Sequence, residues 1–118
     1  MKWWTTRQVN SGGYYIENQV VKQLVSVQAN TKEEAVDKLN SITENFSEYC
    51  DCCGDRWEYF YDLKSSTLPE YMDTSLFDKP RDSYDKNKTY VLYLANGIVL
   101  HGNVGSKPAE WDDVYWEE

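Results

Sequence analysis

The sequence predicts an α+β fold, an antiparallel β-sheet of about five strands with one main helix packed across one face. A helix signal begins at Thr31, where Thr31 and Glu34 form a capping box and apolar residues follow at helical spacing. Two β-rich runs flank Asn96-Gly97, a dipeptide typical of hairpin turns. Runs of alternating polar and apolar residues on both sides of the helix indicate further strands. A chain of 118 residues suits one domain, 1–118.

The first part of the chain predicts a hairpin followed by the helix. Residues 2–9 and 19–29 alternate as strands do, and the Gly-rich run at 10–13 between them is a turn, so we expect the two strands to pair. Glu34 and Lys38 stand four residues apart on the predicted solvent face of the helix. The apolar stripe that faces the sheet consists of Ala35, Leu39, Ile42 and Phe46.

Residues 57–63 alternate aromatic and acidic side chains, which predicts a strand with one aromatic face. The irregular stretch 64–88 is long enough to act as a lid-like loop, because connections of this length usually pack over a site or carry function. A short helix from Pro69 is one alternative within it, since proline suits the first helical turn.

Residues 89–104 predict a hairpin with a two-residue type I′ turn at Asn96-Gly97. This register pairs Tyr93 with Leu100 and puts Leu100 on the same face as Val91. Both faces are apolar, so both need cover. The helix covers one face, and the loop, a second subunit or the acidic, aromatic C-terminal tail (106–118) covers the other.

Charge and cysteine content narrow the classes of function. The net charge of −8 argues against binding to duplex nucleic acid, which depends on basic side chains. The first residues lack the apolar segment of a signal peptide, and no run is long enough for a membrane span. Three cysteines within four positions do not form a secreted disulfide framework. We therefore expect a cytoplasmic protein without membrane contacts.

The cysteine segment offers half of a metal site. Cys50, Cys53 and the following glycine form C-x-x-C-G, the shape of a zinc knuckle. Cys52 and His101 are the remaining candidate ligands, but neighbouring side chains such as those of Cys52 and Cys53 point apart in extended backbone. The alternative is that the cysteines are small residues shaping a turn. We expect no cofactor, with zinc as the alternative.

Five residues are candidates for binding an anion that carries rings. Guanidinium groups bind phosphates through paired hydrogen bonds, and aromatic faces stack on bases. These groups meet at one end of the sheet if residues 2–9 lie beside residues 57–63. The alternative places Arg56 in a pair with an acidic neighbour and Trp57 in the core. The candidate ligand-binding residues are Arg7, Tyr14, Tyr15, Arg56 and Trp57.

The sequence contains none of the short motifs that mark hydrolases, phosphate-binding loops or zinc proteases, and His101 is its single histidine. We therefore expect no enzymatic activity, and no catalytic residue is assigned. The abundance of Tyr and Trp instead favours a surface that binds.

Three segments resemble a group of small tailed-bacteriophage proteins to which no activity is assigned. They are Gly12-Gly13-Tyr14-Tyr15, Val27 to Ala35, and the C-x-C-C-G-D-R-W run from Cys50 to Trp57. The resemblance covers about the first sixty residues. It implies an accessory protein made in the cytoplasm of an infected bacterium, and it transfers no functional residue.

Proteins of this size and setting often counter host defence. The resemblance and the candidate residues together favour a non-enzymatic protein, most simply a homo-oligomer, that sequesters a small nucleotide-like immune signal of the host. Two alternatives remain. An acidic surface that mimics nucleic acid can block a basic host protein, and a zinc-stabilised structural module needs no ligand at all.

Overall fold

The computed structural model describes residues 1–9, 15–46, 49–50, 54–55, 57–58, 60, 63–71, 74–78 and 88–114. Its elements are β1 (Lys2–Arg7), β2 (Leu24–Ala29), α1 (Lys32–Thr43), β3 (Tyr49–Cys50), β4 (Gly54–Asp55), β5 (Ser65–Ser66), β6 (Glu70–Tyr71), β7 (Thr74–Ser75), β8 (Thr89–Tyr93), β9 (Val99–Asn103) and α2 (Trp111–Val114). A single 3-10 turn, Glu44–Phe46, follows α1.

The main sheet has five strands in the order β5-β1-β2-β8-β9, which confirms the predicted α+β class. Strands β1 and β2 pair antiparallel as predicted, from Lys2 opposite Ala29 to Arg7 opposite Leu24. The sheet is mixed rather than purely antiparallel, because β2 and β8 run parallel, with Leu24 opposite Tyr90. Parallel neighbours need a long crossover, and α1 with the residues that follow it supplies that connection.

Helix α1 begins where the capping signal predicts. The Thr31 hydroxyl accepts a hydrogen bond from the Glu34 N–H (3.2 Å), and Glu34 also forms an ion pair with Lys38 (3.3 Å). Ala35 and Leu39 are fully buried against the sheet, as the apolar stripe predicts. The Lys38 ammonium donates to the Gln28 carbonyl (2.7 Å), which ties the helix to the end of β2.

Each face of the sheet carries its own core, as the two apolar faces of the last hairpin predict. The helix-side core consists of Trp4, Val21, Val25, Val27, Ala29, Ala35, Leu39, Trp57 and Val91. The opposite core consists of Trp3, Leu24, Leu76, Tyr90, Leu92, Leu94, Leu100 and Trp111. Leu76 from the 64–88 stretch and Trp111 from the tail therefore cover the face that α1 leaves open.

The β8–β9 hairpin differs from the predicted register by one residue. The Leu94 N–H donates to the Ile98 carbonyl (2.9 Å) and the Gly97 N–H to the Leu94 carbonyl (3.0 Å), so the loop has three residues. Gly97 adopts a φ of +92°, which glycine tolerates without strain. Leu92, rather than Tyr93, is opposite Leu100. Because side chains alternate along a strand, Leu100 joins the opposite core instead of facing α1.

Two predictions between α1 and β8 are wrong. Within the predicted strand 57–63, the described residues after Glu58 are not in a strand, since the Leu63 N–H donates to the Phe60 carbonyl three residues back (3.1 Å), as in a turn. The helix suggested from Pro69 is absent, because β6 follows Pro69 directly and pairs with β7. Within 64–88, β5 pairs with the outer side of β1.

Candidate ligand-binding site at the end of the first strand

The structure brings the end of β1 next to residues 57–58, the proximity on which the predicted site depends. Gln8 pairs with Trp57 as an isolated antiparallel bridge, and the Glu58 N–H donates to the Arg7 carbonyl (3.1 Å). This pairing fixes which side chains share a face. Arg7 lies beside Glu58 and Tyr71, whereas Trp57 points into the helix-side core.

Arg7 is the centre of a three-residue cluster. Its guanidinium carbon lies 4.8 Å from the centre of the Tyr71 ring, a cation–π contact. Its Nε is 3.7 Å from a Glu58 carboxylate oxygen, and the Tyr71 hydroxyl donates to the same oxygen (2.8 Å). The Arg7 side chain remains 35% exposed. The cluster therefore holds a partly exposed guanidinium in one position, with the Glu58 carboxylate beside it.

The electrostatics keep Tyr71 a hydrogen-bond donor. Burial, followed by the hydrogen bond to Glu58, raises the pKa of Tyr71 well above its usual value, while the charge of Arg7 acts in the opposite direction. The phenol is therefore protonated at neutral pH. The Arg7 Nε is buried and donates no hydrogen bond to any of the described residues.

Trp57 belongs to the core rather than to the surface. It is 7% exposed, and its indole N–H donates to the Phe46 carbonyl at the end of the helical segment (3.3 Å). The structure thus corrects the prediction that Trp57 stacks on a ligand, because a stacking platform needs an accessible face. Its position matches the alternative reading of the sequence.

A buried amide holds residues 15–23 against the end of β1. Gln8 is 3% exposed, and its side-chain N–H groups donate to the carbonyls of Ile16 (2.8 Å) and Lys22 (3.0 Å). Its amide oxygen accepts from the Ile16 N–H (3.1 Å). Tyr15, which is 38% exposed, precedes Ile16 and is therefore close to the Arg7 end of β1.

Tyr14 and Arg56 lie outside the described residues, so their part in the site stays a prediction. Three features of the site were not predicted from the sequence, namely Gln8, Tyr71, and the role of Glu58 as the partner of Arg7. Gln8 carried a usable signal, because it continues the inward-facing alternation of Trp4 and Thr6. Tyr71 carried none, since it comes from a stretch without periodicity.

The proposed metal ligands are separated or undescribed. Cys50 ends β3, opposite Gly54 of β4, and Cys52 and Cys53 lie outside the described residues. His101 lies on β9 of the main sheet, opposite Val91, whereas β3 and β4 form a separate two-stranded sheet. Within the part of the chain that the structure describes, no group of three or more His, Cys, Asp or Glu side chains is placed to hold a metal.

The surroundings of His101 favour the neutral form of its imidazole. Burial, with the nearby positive charge of Lys22, lowers the pKa of His101. Its Nδ1 is buried and has no hydrogen-bond partner among the described residues. Among the residues that the structure describes, no carboxylate is hydrogen-bonded to the ring in the way that usually orients a catalytic histidine.

A second concave surface lies on the first turns of α1. This groove has a volume of about 320 Å³ and is lined by Lys32, Glu33, Val36 and Asp37. Two carboxylates and one ammonium make its described lining acidic, which suits an anion less well than the Arg7 cluster does. No helix in the described ranges is both long and apolar enough to cross a bilayer.

Comparison with curated proteins gives no match, and comparison with solved structures gives none either. One family profile, described as a domain of unknown function, matches residues 1–108. The match includes every strand of the main sheet, helix α1 and the Arg7 cluster, and it ends before α2. The chain therefore belongs to the DUF7296 family.

Proposed function

We propose that this protein binds a small anion that carries rings, of the nucleotide type, at the Arg7 cluster, and that it performs no chemistry on it. One observation carries the proposal. The Arg7 guanidinium is stacked on Tyr71 and remains partly exposed, so it is oriented toward solvent before any ligand arrives. A guanidinium held in one position loses little side-chain entropy on binding a phosphate.

Glu58 competes with a ligand only weakly. Its carboxylate is 3.7 Å from Arg7 Nε, beyond hydrogen-bond distance, and the two side chains are 35% and 39% exposed. Exposed ion pairs of this kind stabilise a protein by about 0–1 kcal/mol. A phosphate that forms paired hydrogen bonds with Arg7 therefore binds this guanidinium more strongly than the Glu58 carboxylate does.

The rings of the ligand need aromatic partners. Tyr71 already packs one face on Arg7, and the exposed Tyr15 lies at the same end of β1. Stacking between a base and an aromatic side chain stabilises single-stranded nucleic-acid complexes by about 1–3 kcal/mol per base. Tyr14 and Arg56, adjacent in sequence to Tyr15 and Trp57, would extend the site with one more ring and one more guanidinium.

The biological setting follows from the resemblance to bacteriophage proteins. In that setting the protein acts in the cytoplasm of the host bacterium as a counter-defence factor, where it sequesters a nucleotide-like immune signal. A signal molecule is removed by tight binding alone, so this task requires no reaction on the ligand.

Thermal shift and calorimetry with a panel of cyclic mono-, di- and trinucleotides test the proposal. A ligand at 100 times its Kd raises the stability by about 2.7 kcal/mol, which a melting curve resolves. We expect Arg7→Ala to weaken binding at least tenfold and Arg7→Lys to restore it only in part, because lysine lacks the planar fork.

Lys107→Ala is the matched control, since Lys107 also forms an exposed ion pair, with Asp112 (3.8 Å), on a different part of the chain. This variant should bind as the unaltered protein does. No shift in Tm across the whole panel, or equal losses in Arg7→Ala and Lys107→Ala, would refute the proposal.

One observation favours the second candidate function, an acidic block of a basic host protein. The net charge is −8, and Asp112 in α2 has a side chain that is 84% exposed. Deletion of the tail is a poor test, because Trp111 is 4% exposed in the opposite core. The double substitution Asp112→Asn, Asp113→Asn keeps Trp111 and removes two of the five acidic side chains in residues 106–118. It should abolish protein blocking and leave nucleotide binding intact. Elemental analysis for zinc tests the structural-module alternative.

A further inference from the structure

The Glu58 carboxylate is held beside the Arg7 guanidinium. One of its oxygens lies 3.7 Å from Arg7 Nε, and the Tyr71 hydroxyl donates a hydrogen bond to that oxygen (2.8 Å). The Glu58 N–H also donates to the Arg7 carbonyl (3.1 Å), so backbone pairing keeps the two residues side by side. A ligand that binds Arg7 therefore comes close to a negative charge.

A ligand reaches the Arg7 guanidinium through its two Nη groups. The Nε is buried, and the guanidinium carbon lies over the Tyr71 ring, which covers one face. An approach that pairs Nε with one Nη is therefore blocked, and the fork of Nη1 and Nη2 is left. Such a fork forms two parallel hydrogen bonds with two oxygens of one phosphate.

The described charges at this cluster are one positive and one negative. Burial is the main reason that the pKa of Tyr71 is raised, and the charges that act on it from the described residues are those of Arg7 and Glu58 alone. A singly charged phosphate leaves one negative charge in excess at the cluster, and a doubly charged phosphate leaves two. The second charge has no cation among these groups to pair with, and Glu58 repels it.

We propose that Glu58 makes the Arg7 cluster selective for phosphodiesters, whose phosphates are singly charged, over terminal phosphates, which are doubly charged. This inference rests on the proposed function, because it names the class of nucleotide that the same site takes. A diester has two unesterified oxygens, which match the two Nη groups of Arg7. A terminal phosphate adds a third oxygen and the charge that Glu58 opposes. The site therefore takes a cyclic nucleotide and rejects mononucleotides that end in a free phosphate.

Matched ligands separate the effect of charge from that of shape. For each cyclic mono-, di- and trinucleotide of adenine or guanine, the set contains the ring, the linear product of hydrolysing one phosphodiester bond, and that product with its terminal phosphate methylated. At about pH 8, above the second pKa of a phosphate monoester (about 6), only the unmethylated linear compound has a doubly charged phosphate. Calorimetry should show that its methyl ester binds about fivefold more tightly, the effect of two unit charges about 4 Å apart in water.

Glu58→Gln removes the charge and keeps a side-chain oxygen for the Tyr71 hydroxyl. This variant should reduce the difference between the two linear compounds to less than about twofold. Glu34→Gln is the matched control, because Glu34 is 42% exposed and forms an ion pair with Lys38 on α1 (3.3 Å). The control should keep the full difference.

The outcomes distinguish this inference from the proposed function. A methyl ester that binds no more tightly than the unmethylated linear compound overturns the inference, and so does a difference that Glu58→Gln leaves unchanged. In both cases nucleotides still bind, so the proposed function stands. If no compound of the set binds, the proposed function and this inference fail together.

Discussion

Gln8 is the residue whose replacement tests the architecture of the site most directly. Gln8→Leu keeps a side chain of comparable volume but removes the amide that bonds to Ile16 and Lys22. The substitution leaves three buried or half-buried backbone groups without their partner: the Ile16 N–H, the Ile16 carbonyl and the Lys22 carbonyl. Each unsatisfied group of this kind costs about 1 kcal/mol or more.

The expected loss is therefore about 3 kcal/mol of the free energy of unfolding, from a total of about 5–15 kcal/mol for a domain. For a domain of this size the loss corresponds to a decrease in Tm of about 10 °C. Urea titration gives the free energy, and circular dichroism gives the melting curve. Tyr15 precedes the segment that Gln8 fixes, so nucleotide affinity should fall in the same variant.

Gln28→Leu is the control, because the Gln28 side-chain oxygen accepts a single exposed hydrogen bond, from the Ala95 N–H (3.0 Å). Its loss should cost less than about 1 kcal/mol. If the two substitutions destabilise the protein equally, the buried amide does not hold residues 15–23 in place, and the reasoning about the site fails.

Two further predictions concern β9 and its neighbour. Gly102→Ala should destabilise the protein by about 1–3 kcal/mol in urea titration, since a Cβ there collides with the hydroxyl and ring of the buried Tyr90; a loss below about 0.5 kcal/mol would contradict this. The lowered pKa of His101 means that the folded state binds fewer protons than the unfolded state, so the free energy of unfolding should decrease as the pH falls below about 6.5. The difference between the unaltered protein and His101→Gln should isolate this contribution, and parallel pH profiles for the two would contradict the assignment.

The sequence predicted helix α1 correctly because the interactions that form it join residues close together in the chain. The Thr31 cap, the apolar stripe and the Glu34–Lys38 pair all depend on residues at most four positions apart, and α1 appears where they indicate. The pairing of the first two strands was equally accessible, because a glycine-rich turn separates two alternating runs. The apolar residues on both faces of the last hairpin were enough to predict that other parts of the chain pack on each face.

The register of the β8–β9 hairpin could not be predicted from the order of its polar and apolar residues. Asn96-Gly97 fits a two-residue turn, and it also fits a three-residue loop with Gly97 at positive φ, which is the observed arrangement. Alternation normally decides between such registers, but two consecutive apolar residues, Ile98 and Val99, stand at the start of β9. The one-residue difference therefore has no polar residue to mark it, and it moves Leu100 to the other face.

The site was predictable only where neighbouring strands determine it. Arg7 lies close to residues 57–58 because backbone hydrogen bonds pair the two segments. The predicted site depended on this proximity. Tyr71 reaches Arg7 from β6, sixty-odd residues away in a stretch with no periodic signal. Trp57 points into the core because it is paired with Gln8 in a single isolated bridge. The composition of residues 57–63 does not determine that pairing.

The parallel pairing of β2 with β8 has a consequence for synthesis on the ribosome. Residues 24–27 find their neighbours only when residues 90–93 have emerged, so the middle of the sheet closes late. Until then a nascent chain presents one long side of β2, with Val25 and Val27, to other nascent chains. A product terminated before β8 should therefore be captured by chaperones or aggregate instead of persisting as a smaller folded protein.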